Sequence, residues 1–225
     1  MCLRLVGSEM CIRDRLIANY SSWLKHRNKR NYYPLITFNE FKDLDEHSFS
    51  ENINFLMINT TDLEKFKNIR IPENFILILK SNNEHFMPDM RSFFMKNLNI
   101  KNPVILSKNY DSSYSDDLII HSSTDIGGLF IQGYGDGIFI GNHSSEIEEI
   151  ININNLSFKI LQAARVRVTS TDFISCPSCG RTLFDLQETT AMIRERTDHL
   201  KGLKIGIMGC IAVSYTHLTL PTIVG

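Results

Sequence analysis

"INFLMINTTDLEKFKNIRIPENFILILK", Ile53 to Lys80, sets an apolar run, an amphipathic stretch and a second apolar run end to end. Ile53 to Thr60 reads as a buried strand, and Asn74 to Lys80 as another. Between them "TDLEKFKN" has helical character, with Thr61 or Asp62 as its N-cap. Strand, helix-length connection, strand is the grammar of a βαβ unit, which implies a parallel sheet.

The pattern continues toward the C-terminus. "HFMPDMRSFFMKNL" reads as a helix, with Pro88 tolerable only in its first turn. Pro103 to Ser107 is a third predicted strand, Asp117 to Ser122 a fourth and Gly137 to Gly141 a fifth, with a short helix in "TDIGGLFIQG". Five strands make an open sheet or part of a barrel. A long helix is expected from about Glu146 to Ala164, with Ile147, Ile150, Leu156, Ile160 and Leu161 near one face. A domain boundary is expected near Ala164 to Arg167. Beyond it "RVRVTSTDFIS" alternates like a strand. "TLFDLQETTAMIRERTDHL" reads as a helix, with Thr182 as N-cap, Asp185 three residues on, and apolar Leu186, Ile193 and Leu200. Leu203 to Gly209 is a last predicted strand, leading to Cys210.

Bulk properties exclude some functions. The chain has 225 residues, 43% of them hydrophobic, and a formal net charge of -1. That balance offers no general field for a polyanion, so nucleic acid is a poor partner. No apolar run approaches the ~20 residues that cross a bilayer. The first residues, "MCLRLVGSEMCIRDR", are broken by Arg4, Glu9, Arg13 and Asp14, unlike a secretory leader. A cytoplasmic protein is expected.

The chain has five cysteines: Cys2, Cys11, Cys176, Cys179 and Cys210. In a reducing compartment, C-x-x-C in "FISCPSCGRTLFDLQ" is metal-binding or redox-active more often than a structural disulfide. Cys176, Cys179 and Cys210 each follow a predicted strand. Parallel strands would bring these ends to one sheet edge, where three thiolates suit an iron–sulfur cluster or a zinc ion. A helix opening after Gly180 would aim free N–H groups at that site. A zinc-binding or interaction module and a thiol–disulfide oxidoreductase remain open from spacing alone.

"ISCPSCGRTLFDLQETTAMIRERTDHLKGLKIGIMGCI" closely resembles the C-terminal iron–sulfur domain of the 4-hydroxy-3-methylbut-2-en-1-yl diphosphate synthases. The likeness runs from about Ser157 to Ile211. "CPSCGRTLFDLQ" resembles the long, three-domain form, which inserts an extra barrel-like domain before the cluster domain. Residues from about 16 to 156 fit the later part of that insert, and "STDIGGLFIQGYGDGIFI" resembles its closing segment. The implied fold is α/β: a partial parallel βα barrel-like domain over 16–164, then a truncated α/β iron–sulfur domain over 165–212.

The resemblance also implies chemistry. Three cysteines and a glutamate hold a 4Fe-4S cluster in the family, and the cysteines correspond to Cys176, Cys179 and Cys210. The reaction is reductive conversion of 2-C-methyl-D-erythritol 2,4-cyclodiphosphate to 4-hydroxy-3-methylbut-2-enyl diphosphate in isoprenoid biosynthesis. Ferredoxin or flavodoxin supplies electrons, and the parent is expected to be a homodimer. The labile glutamate ligand leaves one iron open to substrate. The family continues after its third cysteine roughly as V-V-N-G-P-G-E. Here the text is "CIAVSYTHLTLPTIVG": Val213 stands at the asparagine position and His217 at the glutamate position. "VSYTHLTLPT" and "MCLRLVGSEMCIRDR" resemble translated sequencing-adaptor text. Residues 1–15 and 213–225 are therefore expected to be foreign, and the chain to be an inactive fragment.

Other residues carry weaker signals. Arg165 and Arg167 suit a helix C-terminus, and the family has a comparable R-x-R. Arg181 stands beside Cys179 in sequence and would offset cluster charge. "GYGDG", Gly133 to Gly137, precedes a strand where a phosphate loop would open a helix, so it reads as a turn. His121 is expected at a strand end, on the catalytic side of a barrel. His217 is chemically able to ligate iron or zinc.

Overall fold

The computed structural model describes residues 6–7, 16–27, 29, 31–62, 69–97, 100–111, 114–142, 146–175, 185–200 and 202–207. The chain divides into two compact units, one ending at Arg167 and the other beginning at Val168.

In the first unit, six parallel strands follow one another in chain order: β2 (Leu16–Asn19), β3 (Tyr32–Thr37), β4 (Asn54–Asn59), β5 (Phe75–Lys80), β6 (Val104–Asn109) and β7 (Gly137–Gly141). A two-residue strand, β1 (Val6–Gly7), pairs antiparallel with the far edge of β7. Crossovers between parallel strands share one hand, so an order that never reverses places every connection on the same face. The sheet curls accordingly into half a barrel, with helices along one side.

Strand alternation then separates two faces. Leu56, Ile58, Leu77, Leu79, Val104, Leu106, Ile138 and Ile140 turn toward the helices. They pack on α1 (Tyr20–Lys25), α2 (Phe38–Asp43), α3 (Phe86–Lys96) and α6 (Ile147–Ala163) through Tyr20, Trp23, Phe38, Phe41, Phe86, Met90, Phe93, Leu156, Ile160 and Leu161. The other face carries a smaller cluster of Ile17, Phe55, Ile78 and Ile105, flanked by half-buried Leu35, Ile76 and Phe139, with no helix residue among them.

The sheet contains three strands that sequence reading passes over, β1, β2 and β3, and lacks one that it expects. β3 includes Pro34, a residue that normally argues against an inner strand. The ladder with β4 begins only at Leu35, so the missing N–H of Pro34 faces no partner on that side. Asp117 to Ser122, expected as a strand, is a helix instead: α4 spans Asp116–Ser122. Ser115 caps it by accepting from the Leu118 amide, and Asp116 and Asp117 suit its N-terminal dipole. Leu118 and Ser122, one turn apart, are its buried residues. His121 therefore lies exposed on a helix and not at the end of a strand of its own. The helix continues as a π turn (Ser123–Gly127) into α5 (Gly128–Ile131).

Pro88 falls in the first turn of α3, where its missing N–H removes no helical bond. The span of α6 agrees with its hydrophobic period, but its buried face is rotated. Ile153, Leu156, Ser157, Ile160 and Leu161 are buried, whereas Ile147 is 76% exposed and Ile150 is 39% exposed. Thr60–Asp62 forms a 3-10 turn after β4. The helix expected over "TDLEKFKN" otherwise falls outside the described residues.

Candidate functional site

The second unit is a βαβ element. β8 (Asp172–Ser175) and β9 (Lys204–Ile207) pair in parallel, and α7 (Leu186–Thr197) runs between them in sequence. Thr171 anchors the start of β8: its hydroxyl donates to the carbonyls of Thr197 at 3.1 Å and Leu200 at 2.7 Å. That ties the end of α7 to the base of the ladder. The Arg194 guanidinium lies 5.1 Å from the Phe173 ring centroid, a cation–π contact across the helix–strand interface.

Register aligns the strand tops. Ser175 pairs with Ile207, so both strands end at the same level. Cys176 is bonded directly to Ser175, and Cys210 follows three residues after Ile207. Cys179 begins the passage from β8 toward α7. Cys176, Cys179 and Cys210 themselves lie outside the described residues, as do Arg181, Thr182, Val213 and His217. Among the described residues no cluster of three His, Cys, Asp or Glu side chains is placed to hold a metal ion. The chemistry of the donor set nevertheless suits a soft centre. Three thiols occur in the segments that leave two adjacent strand ends, and no other strand need be recruited to assemble them.

The local cap differs from the sequence expectation. Asp185 is the N-cap of α7, and its Oδ1 accepts from the amides of Gln187 at 2.8 Å and Glu188 at 3.0 Å. Aspartate is a strong cap and supplies a full negative charge to the helix dipole, whereas Thr182, the expected cap, lies outside the described residues. These two N–H groups are therefore occupied by their own cap and are not free donors for a cluster.

The remaining candidates are structural. Arg165 has φ 60 and terminates α6 as the left-handed residue of a Schellman motif. Its amide donates to Gln162 O at 3.0 Å, and Val166 N donates to Leu161 O at 3.0 Å. Arg167 sits 5.6 Å over the Phe158 ring. Gly133 and Gly135, with φ 81 and 88, build a turn between α5 and β7. Sequence reading missed a partly buried polar group at the top of β6. Lys108 Nζ lies 2.7 Å from Asp125 Oδ2, and Tyr110 OH donates to the same oxygen at 3.1 Å. Burial and the Asp125 charge hold the Tyr110 hydroxyl well above the ordinary tyrosine range. The π turn that carries Asp125 leaves no simple periodic mark in the sequence.

Comparison with known proteins places these observations. Residues 172–214 match the GcpE protein C-terminal domain, a span that includes Cys176, Cys179 and Cys210. The chain is 36% identical over 211 residues to the 4-hydroxy-3-methylbut-2-en-1-yl diphosphate synthase (flavodoxin) of Phocaeicola vulgatus, covering 91% of this chain and 34% of that protein. It is 52% identical over 109 residues to the flavodoxin-type synthase of Leptospira interrogans, covering 48% of this chain and 16% of the relative. The chloroplastic, ferredoxin-type synthase of Arabidopsis thaliana is 45% identical over 119 residues, covering 52% of this chain and 16% of its own length. The chain spans about a third of the first of these relatives. Residues 172–214 thus carry the C-terminal domain of the GcpE family, and the chain is similar to part of the length of the 4-hydroxy-3-methylbut-2-en-1-yl diphosphate synthases.

Proposed function

We propose that this chain is part of an iron–sulfur oxidoreductase that reductively converts 2-C-methyl-D-erythritol 2,4-cyclodiphosphate to 4-hydroxy-3-methylbut-2-enyl diphosphate. Residues 16–164 are the later part of an inserted barrel-like domain, and 165–212 begin the cluster domain. Cys176, Cys179 and Cys210 hold the 4Fe-4S cluster as thiolates. The observation that carries this reading is the Ser175–Ile207 register, which levels the two strand ends from which these cysteines depart.

When bound, the cluster supplies the electrons for the reductive step, drawn from flavodoxin or ferredoxin, the donors named for the relatives. The chain's own contribution is to hold three anionic thiolates close together. Thr171 and the β8–β9 ladder fix the base of that arrangement, so the cysteine-bearing segments start from a defined separation. The fourth ligand of the family, a glutamate, has His217 at its position, and its asparagine has Val213. The chain as written is therefore inactive in turnover, while three thiolates remain available for a cluster.

Anaerobic reconstitution with iron and sulfide tests the site. The expected product is brown, absorbs near ~400 nm and contains stoichiometric iron and sulfide. A colourless protein that retains zinc in place of iron would overturn the cluster assignment and favour a zinc-binding module. Reductive turnover of the cyclic diphosphate by this chain would overturn the assignment of inactivity.

A further inference from the structure

We propose that the helix-free face of the half-barrel binds a compact oxyanion of the phosphate type at its C-terminal mouth, beside Lys80, Asn59 and Ser107. The register places these three residues in one row across adjacent parallel strands: Asn59 opposite Lys80, and Lys80 opposite Ser107. Each lies two positions beyond a residue of the row below, which is formed by Met57, Ile78 and Ile105. All therefore project from the same face. A polar row above an apolar one, at the C-terminal ends of parallel strands, is where βα folds place ligands.

Three features of the row point to an anion. Lys80 is half-buried at the edge of a cavity of about 170 Å³ lined by Thr37, Asn39, Asn59, Asp62 and Lys80, among others. No carboxylate or other acceptor among the described residues pairs with its ammonium. Burial alone lowers its pKa, the mark of a desolvated cation without compensation. Ser107 is 1% exposed, and its Oγ has no hydrogen-bond partner among the described residues. A buried hydroxyl without a partner costs roughly 1–3 kcal/mol, so a ligand atom that bonds it recovers that penalty. Asn59 is polarised in the same sense. Its Oδ1 already accepts from the Thr61 amide and from the Thr60 and Thr61 hydroxyls, which leaves its NH₂ as the outward group.

The cavity size limits the ligand. Sites for drug-sized molecules run to about 300–1,000 Å³, so this one suits a phosphate or phosphomonoester headgroup and not a nucleotide. Asp62, on the cavity rim, has an interaction of its own. Thr37 is likewise committed to its capping box with Glu40, so the short helix α2 contributes no free donor through it. The proposed donors are thus the Lys80 ammonium and the Asn59 amide, which line the cavity, with the Ser107 hydroxyl beside Lys80 on the adjacent strand of the same row. Nothing in this site depends on the cysteines of the second unit.

The test uses the full chain, with inorganic phosphate exchanged for chloride at constant ionic strength. Saturable amide shifts of Asn59, Lys80 and Ser107 in two-dimensional NMR are expected, with a rise in melting temperature at roughly 10 mM phosphate. Lys80→Met should weaken phosphate binding about tenfold or more, and Ser107→Ala should weaken it severalfold. In phosphate-free buffer Lys80→Met should raise the melting temperature, because it removes an uncompensated, half-buried charge. Unsaturable shifts, or equal phosphate response in Lys80→Met, would overturn the site. So would destabilisation by Lys80→Met without phosphate, which would make the lysine a structural residue. A parallel titration with methyl phosphate separates the sources: tighter binding assigns a phosphorylated metabolite, and equal binding assigns the free anion.

Discussion

Ser175 and Ile207 are register partners at the tops of two parallel strands, and the cysteine-bearing segments leave the ladder immediately beyond them. Cys176 and Cys210 are distant in sequence, yet the chain paths to them begin side by side. A dithiol reading of "CPSC" ignores that relationship. A cluster reading requires it, because the third ligand must come from the neighbouring strand.

The cysteines should then act as a set. Replacing any one of Cys176, Cys179 or Cys210 with serine is expected to remove most of the reconstituted iron and the absorption near ~400 nm. Cys210→Ser should be as damaging as the other two. Cys2→Ser and Cys11→Ser should leave iron content unchanged. Iron retention by Cys210→Ser, with thiol–disulfide activity confined to Cys176 and Cys179, would support a redox dithiol instead.

The sequence suggests Thr182 as the cap of α7, but the hydrogen bonds give that role to Asp185. Asp185→Ala should destabilise the second unit by about 1 kcal/mol, read as loss of amide protection over the first turn of α7. Thr182→Ala should have a smaller effect on the same amides. Equal loss in both variants would show that the cap is shared.

Legibility in the sequence followed how local each determinant is. The inner strands β4, β5, β6 and β7 announce themselves because each is an apolar run bounded by polar turns. β3 escapes notice because Pro34 argues against a strand, and only the register shows that its deficit faces no ladder. "DLIIHS" has the composition of a strand; Ser115 and the two aspartates after it carry the decisive helical signal, outside the apolar run. The rotation of the α6 face is also non-local: Ile147 and Ile150 are apolar yet remain exposed, while Ser157 is buried and bonds back to Ile153 O at 3.0 Å. The cysteine spacing marks metal or redox chemistry without choosing between them, and the parallel course of β8 and β9 is legible in the sequence; that the two strands end level is a fact of pairing. The row of Asn59, Lys80 and Ser107 is likewise invisible until the strands are aligned.

Tyr110 couples stability to alkaline pH. Its pKa is raised first by burial, then by the Asp125 charge and the hydrogen bond to it. The folded state therefore holds this proton more tightly than the unfolded state, whose tyrosine titrates near ~10. The resulting stabilisation is fully present below that value. It is lost as pH rises from there toward the folded pKa, because only the unfolded chain releases the proton. Urea midpoints measured at about pH 8 and pH 11 should fall more steeply for the parent chain than for Tyr110→Phe. Asp125→Asn should bring the phenolate transition down in pH without restoring the ordinary value, since burial remains. It should also cost on the order of 1–3 kcal/mol by leaving Lys108 without its carboxylate. Equal alkaline slopes for the parent chain and Tyr110→Phe would sink this account.

Gly133 and Gly135 share a turn and a positive φ, but their surroundings differ. A Cβ at Gly133 meets nothing within 4 Å, whereas one at Gly135 falls 2.9 Å from Leu106 Cγ. Leu106 is fully buried between the sheet and the helices and has little room to yield. Gly133→Ala should therefore cost only the backbone strain of a left-handed alanine, about 1 kcal/mol. Gly135→Ala adds overpacking of the core to that strain and should cost about 2–4 kcal/mol in total. Denaturant midpoints measure both. The difference between them isolates the packing term, because the backbone penalty is common to the pair. Pairing Gly135→Ala with Leu106→Val, which removes a methylene from the clashing side chain, should recover part of the loss. Recovery of the same size in the Gly133→Ala, Leu106→Val pair would show that the two turn positions do not differ in the way their contacts indicate.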